Sequence, residues 1–244
     1  MGLTKNVTEG LYPGETVLLI LGTVLFVVLI FAFVYQLTRQ RSLGPLLGFF
    51  VVPIVMIGYP SIRSIEFKDG VVSIDKTTQQ LLSNPTDASL RESLQKQLEQ
   101  TTRRPIANPR DAAAVAKAQF ALGDDQAAAL NLQKALQKDP NLPEARQLQR
   151  KMEVAQNLQR LSVQVERNPA DQAARAELQK NVSEAAQMQW ANHNAVIALA
   201  RAQTALGDHA HALETVNKAL AINPKAVPAQ QLKETILLKV PPHS

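Results

Sequence analysis

Apolar positions follow three successive patterns along this chain. From Thr16 to Thr38 they are almost continuous, and no charge interrupts them. An α-helix needs about 20 such residues to cross the hydrocarbon core of a bilayer. The run therefore predicts a first transmembrane helix over 16–38, behind an N-terminal tail of 1–15. Tyr12 and Tyr35 stand at its two ends, where amphipathic rings suit the membrane interface. A second uncharged run covers Ser42–Ile62, between Arg41 and Arg63. It predicts a second span over 43–62, kinked at Pro53 because proline removes an internal helix hydrogen bond. A short basic loop, 39–42, joins the two.

The second pattern is alternation. Apolar residues between Ile65 and Asp75 flank Asp69-Gly70, a strong turn signal. This predicts a short β-hairpin inside a connector of 63–83. The third pattern has a helical period and runs to the end of the chain. Helices are expected over 77–82, 86–101, 110–122, 125–138, 142–165, 170–187, 194–206, 208–221 and 226–239. Their connections are short, so neighbours should pair antiparallel. The leader before Thr16 is neutral to acidic and no A-x-A site follows the first run, so this segment is expected to be retained, not cleaved.

The third region is a tandem duplication. With Asn84 laid on Asn168 it matches itself without a gap, with 25 identities in the 65 pairs from 84 to 148. Asn84-Pro85-x-Asp87 meets Asn168-Pro169-x-Asp171, Leu94-Gln95-Lys96 meets Leu178-Gln179-Lys180, and Leu122-Gly123-Asp124 meets Leu206-Gly207-Asp208. The matched Gly, Asp and Pro act as punctuation: Asn-Pro-x-Asp starts a helix with its proline in the first turn and its acid near the positive end, glycine takes the left-handed position at a helix end, and Pro140 and Pro224 stop the helices before them. Two units follow, 84–167 and 168–240.

Within them, 109–142 and 193–226 resemble tetratricopeptide repeats in length and in pattern. The first copy carries Ala116, Gly123, Ala128, Leu132, Ala135 and Pro140 at the family's small, Gly, Ala, apolar, Ala and Pro positions. The second carries Ala200, Gly207, Ala212, Val216, Ala219 and Pro224. Ala112 and Val196 stand where the family often has Trp, and Gln119 and Gln203 where it often has an aromatic residue. The resemblance implies an all-α solenoid with a concave groove lined by the first helix of each pair. By position that groove would present Arg110, Ala113, Lys117 and Phe120, then Asn194, Ile197, Arg201 and Thr204. The cation shared by both copies, Lys117 and Arg201, would suit an acidic protein or peptide. Asn, the family's carboxylate-clamp residue at that place, is absent. The overall plan also resembles cytochrome c biogenesis factors that join two membrane helices to such a domain, although their intermembrane loop is long.

Composition narrows the chemistry. There is no cysteine, so disulfides, thiolate metal sites and thiol nucleophiles are excluded. Lys+Arg is 26 and Asp+Glu 21, a net charge of +5 with no polybasic run, and beyond Ser61 the aromatic residues are Phe67, Phe120 and Trp190 alone. Nucleic-acid binding is not expected. His209-Ala-His211 beside Asp208 has spacing that sends the two rings to different sides of a helix, so no metal site is expected. No nucleophile elbow, phosphate loop or zinc motif occurs, and neither catalysis nor a cofactor is expected. Trp190, at the junction of the copies, is expected to pack between repeats. The reading is a non-catalytic scaffold or assembly factor, held in a bacterial-type inner membrane through 16–62. Arg39 and Arg41 would keep the loop cytoplasmic and the repeat domain outside.

Overall fold

The computed structural model describes residues 11–38 and 44–239. The basic loop 39–42 and most of the N-terminal tail lie outside the described residues. Among the described residues the secondary structure is helical, with no strand. The helices are α1 Pro13–Thr38, α2 Gly44–Phe49, α3 Val51–Ser83, α4 Ala88–Thr101, α5 Pro109–Leu122, α6 Asp125–Lys138, α7 Pro143–Arg167, α8 Gln172–Ala186, α9 His193–Leu206, α10 His209–Ile222 and α11 Val227–Lys239. They form two compact units. One runs up to Ser73 and includes Glu99–Asn108. The other contains Ile74–Leu98 and continues from Pro109.

In the first unit, α1 and the helix that begins in the second apolar run are long and apolar enough to cross a membrane. Gly22 is the one buried residue of α1, and Val28 and Phe31 stand 55% and 71% exposed. Such a helix has no protein core around it. α1 meets α3 at Gly22, where an added Cβ would lie 2.8 Å from Met56 Cβ and 3.0 Å from Ile57 Cγ1. Phe50 packs edge-on against Phe26 and Phe33, with centroids 5.7 and 6.3 Å away. At the start of α1, the Tyr12 hydroxyl donates to the Arg103 carbonyl at 2.6 Å. Arg104 pairs there with Glu15 at 3.3 Å.

Two expectations are corrected in this unit. The break in the second apolar run falls at Phe50, between α2 and α3, and not at Pro53. Pro53 is the third residue of α3, where its missing N–H has no partner in the helix anyway. The β-hairpin does not form: 65–75 lies inside α3. The buried residues of that helix include Ser64, Phe67, Val71, Ile74, Thr78 and Leu81. Their steps of three and four make one helical stripe, while Ile65 and Val72 are 60% and 68% exposed. The stripe outweighs the turn preference of Asp69-Gly70. Gly70 instead faces Thr101, whose Oγ1 would lie 3.0 Å from an added Cβ.

The second unit matches the expected helices closely at most ends, and the punctuation explains why. Asp124 and Asp208 cap α6 and α10, accepting from the Ala127 N–H at 3.0 Å and the His211 N–H at 3.3 Å. Gly123 and Gly207 close α5 and α9 with φ of 92° and 91°, a backbone shape that glycine adopts without Cβ strain. The Asn-Pro-x-Asp motif performs two tasks. Asn168 closes α7 through its N–H to Gln164 O, and Asp171 opens α8 by accepting from the Ala174 N–H at 2.9 Å. The prolines sit in the turn between, not in the first helical turn.

Two clusters of buried residues stand out in the core of this unit. One gathers Val154, Leu158, Leu161, Leu178 and Leu199; the other gathers Val196, Val216, Ile222, Leu232 and Ile236. Trp190 packs against both, as expected from its place in the chain, and its indole N–H donates to Ala185 O at 2.9 Å. The duplicated leucines Leu94 and Leu178 are both fully buried. So are the small residues Ala116, Ala128, Ala135, Ala200, Ala212 and Ala219, which let paired helices approach closely.

Candidate functional site

The structure divides the expected groove residues. Phe120, Ile197 and Thr204 are buried, at 7%, 9% and 6% exposure. The Phe120 ring meets Trp190 edge-on at 6.3 Å, and the Thr204 hydroxyl donates to Ala200 O at 2.9 Å. Ala113 is buried too. Lys117 is half-buried, and its Nζ pairs with Asp75 Oδ1 at 3.1 Å. Asp75 belongs to α3, so the chain's own helix takes the charge that was expected to face a ligand. Arg110 is exposed and Arg201 partly exposed. These residues do not form a single solvent-facing row.

What the structure does assemble lies around α7. Asn194 and Phe120 line a small recess of about 70 Å³ with Asp125, Met152, Gln156, Gln159 and Asn192. Gln156 also lines two larger grooves. One, of about 500 Å³, lies between α6 and α7 and includes Gln133, Gln137, Gln149 and Met152. The other, of about 650 Å³, follows the second half of α7 past Gln159, Val163 and Gln164 to Asp171. Side-chain amides recur along all three. Each amide offers a donor and an acceptor, so the surface can answer the N–H and C=O groups of another polypeptide without fixing its sequence. None of these glutamines was among the positions expected to bind. The signal was present as Gln149 and Gln156 two helical turns apart, beside Met152 and Val163 on one helical face.

Polar bonds across the duplication hold this surface. Asn192 Nδ2 donates to Asp125 Oδ1 at 2.6 Å, and Asn194 Nδ2 donates to Gly123 O at 3.2 Å. Arg91 donates across the copies to Ala191 O at 3.0 Å and within its own copy to Pro85 O at 3.2 Å. Burial pushes its guanidinium below the ordinary value. Burial likewise raises the Asp125 carboxyl, against the bonds from Asn192 and Asn194. It lowers the His193 imidazole, with the Arg91 charge adding to the effect. Lys151 Nζ donates to Gln189 O at 3.0 Å and stands over the Trp190 ring. Burial depresses its ammonium, and nearby Lys117 depresses it further. His211 Nδ1 lies 2.8 Å from Asp208 Oδ2. No group of three metal-ligating side chains occurs among the described residues.

No protein-family model, curated protein or solved structure matches the chain.

Proposed function

We propose that this protein is a membrane-anchored tetratricopeptide-type interaction module, acting as a scaffold or assembly factor without catalysis. α1 and the second apolar helix hold it in the bilayer. The helical unit lies on the extracytoplasmic side and captures a protein or peptide. Support for the repeat reading comes from the paired helices α5–α6 and α9–α10, equal in length, with matching aspartate caps and left-handed glycines. The observation that carries the binding reading is the run of amide side chains meeting at Gln156, beside the apolar Met152 and Val163. Such a mixture suits an extended segment, whose backbone bonds the amides while its side chains cover the apolar patches. Lys117, tied to Asp75, lies outside the proposed contact surface.

A photo-crosslinking residue at Gln156 of the full chain, in its native membrane, tests this reading. A discrete adduct with another polypeptide is expected. The same group at Gln147, exposed on the opposite side of α7, should give none. Equal adducts at both positions, or none at Gln156, would refute the groove.

A further inference from the structure

The covered and the bare parts of α1 meet at a narrow boundary. Leu11 is buried, and the Glu15 side chain is only 16% exposed. Val17, Ile20 and Leu21 then stand 54%, 55% and 54% exposed. The change falls where the uncharged run begins, at Thr16. A helix that enters hydrocarbon loses its protein cover and its charges at one level, and that level is the headgroup layer. Part of the cover comes from the segment after α4. The Tyr12 hydroxyl donates to the Arg103 carbonyl at 2.6 Å. Arg104 pairs with Glu15 at 3.3 Å, and its guanidinium stands 5.7 Å from the centre of the Tyr12 ring. The residues 102–106, remote from the apolar runs in sequence, therefore lie at the mouth of the first one.

α3 adds a second side to this level. Gly22 of α1 lies against Met56 and Ile57, while Phe26 and Phe33 pack on Phe50, so the two helices run antiparallel. Glu15 comes seven residues before Gly22 and Arg63 seven after Met56. At 1.5 Å per residue both lie about 10 Å along the axis from that contact. Arg63 pairs with Glu66 at 3.0 Å and stands over the Tyr59 ring. Arg63 and Arg104 are thus answered by the chain's own carboxylates. Arg103 differs: it is exposed, and among the described residues no carboxylate pairs with its guanidinium. A guanidinium held at headgroup depth by its own backbone, with its donor fork open, suits a phosphate. We propose that the loop 102–106 is a lipid-contact site in which Arg103 binds the phosphate of an anionic phospholipid, on the membrane face where α1 begins. This rests on the reading of α1 as a membrane anchor.

The test uses the full chain reconstituted in vesicles of phosphatidylcholine and phosphatidylglycerol. The chain has no cysteine, so Pro105→Cys, exposed in the loop, carries a single fluorophore. Val28→Cys, exposed on α1, carries the same label to report on the anchor. A nitroxide near the lipid headgroup should quench the label at 105, and one deep in the acyl chain the label at 28. Nitroxide phosphatidylglycerol should quench at 105 more than nitroxide phosphatidylcholine, corresponding to a preference of about fivefold for the anionic lipid. Arg103→Gln in the same labelled chain should bring the preference close to unity, with quenching at 28 unchanged. Quenching at 28 with none at 105 would overturn the loop contact and leave the anchor standing. No quenching at 28 would remove the anchor, and the lipid site with it. Equal quenching at 105 by the two lipids, or a preference that survives Arg103→Gln, would overturn Arg103 as the phosphate ligand.

Discussion

Gly123 and Gly207 occupy the same place in the duplication and share one backbone conformation, yet their surroundings differ. A Cβ on Gly207 would meet nothing within 4 Å, whereas one on Gly123 would lie 2.9 Å from His193 Cε1. Valine at either site must hold a left-handed φ against its branched Cβ, at a cost of roughly 1–3 kcal/mol. Asparagine tolerates that region better. Gly207→Asn should therefore be nearly neutral, while Gly123→Asn should cost more than Gly207→Asn because its Cβ also strikes the imidazole, and Gly123→Val should cost most. Thermal unfolding of the four variants in detergent reads this. Two equally mild asparagine variants would mean that the His193 contact imposes no constraint. The glycines were legible in the sequence because Gly-Asp after an apolar run states a local backbone rule. Their different neighbours were not, since His193 reaches Gly123 only through the packing of the second copy on the first.

At the scale of elements, helix ends written in Asp, Gly, Asn and Pro were legible, and the connector 63–83 was not. Alternation from Ile65 to Asp75 fits a strand and, where apolar residues are dense, a helical stripe as well. Tertiary contacts then choose between them. Continuity with Ile74, Thr78 and Leu81, all fully buried, favours the helix. That error also concealed what becomes of Lys117, because a hairpin at 65–75 leaves no helix to bring Asp75 alongside it. The contact of α1 with α3 provides a test at this scale. Gly22 lies directly against α3, and a side chain there would press on Met56 and Ile57. Gly22→Leu should lower the stability of the full chain by roughly 1–3 kcal/mol through overpacking. Gly58→Leu, with nothing within 4 Å of its added Cβ, should have little effect or stabilise slightly by helix propensity. Equal tolerance at both positions would show that α1 and α3 do not rely on this close contact.

For the molecule as a whole, the duplication made the helical class readable, because Asn-Pro-x-Asp and Leu-Gly-Asp recurring in one fixed register cannot arise from composition alone. The membrane orientation rests on a different kind of information. It depends on which flank of the first apolar run carries more cations, and this flank is set by sequence rather than by packing. Lys5 is the only Lys or Arg before that run, and Arg39 and Arg41 follow it at once. The arginines should hold the loop on the cytoplasmic side and leave the helical unit outside. Arg63 and Lys68, beyond the second run, pull the other way, but the first helix usually decides. The chain has no cysteine, so a single introduced thiol gives a signal without background. Ser183 is exposed on α8, and Ser183→Cys should react with a membrane-impermeant maleimide in intact spheroplasts. Ser42→Cys, in the loop, should react only after lysis. The reverse pattern would place the helical unit in the cytoplasm, and its protein partner would then have to be sought there. The α7 grooves would keep their chemistry in either case, since it does not depend on which side of the bilayer they face.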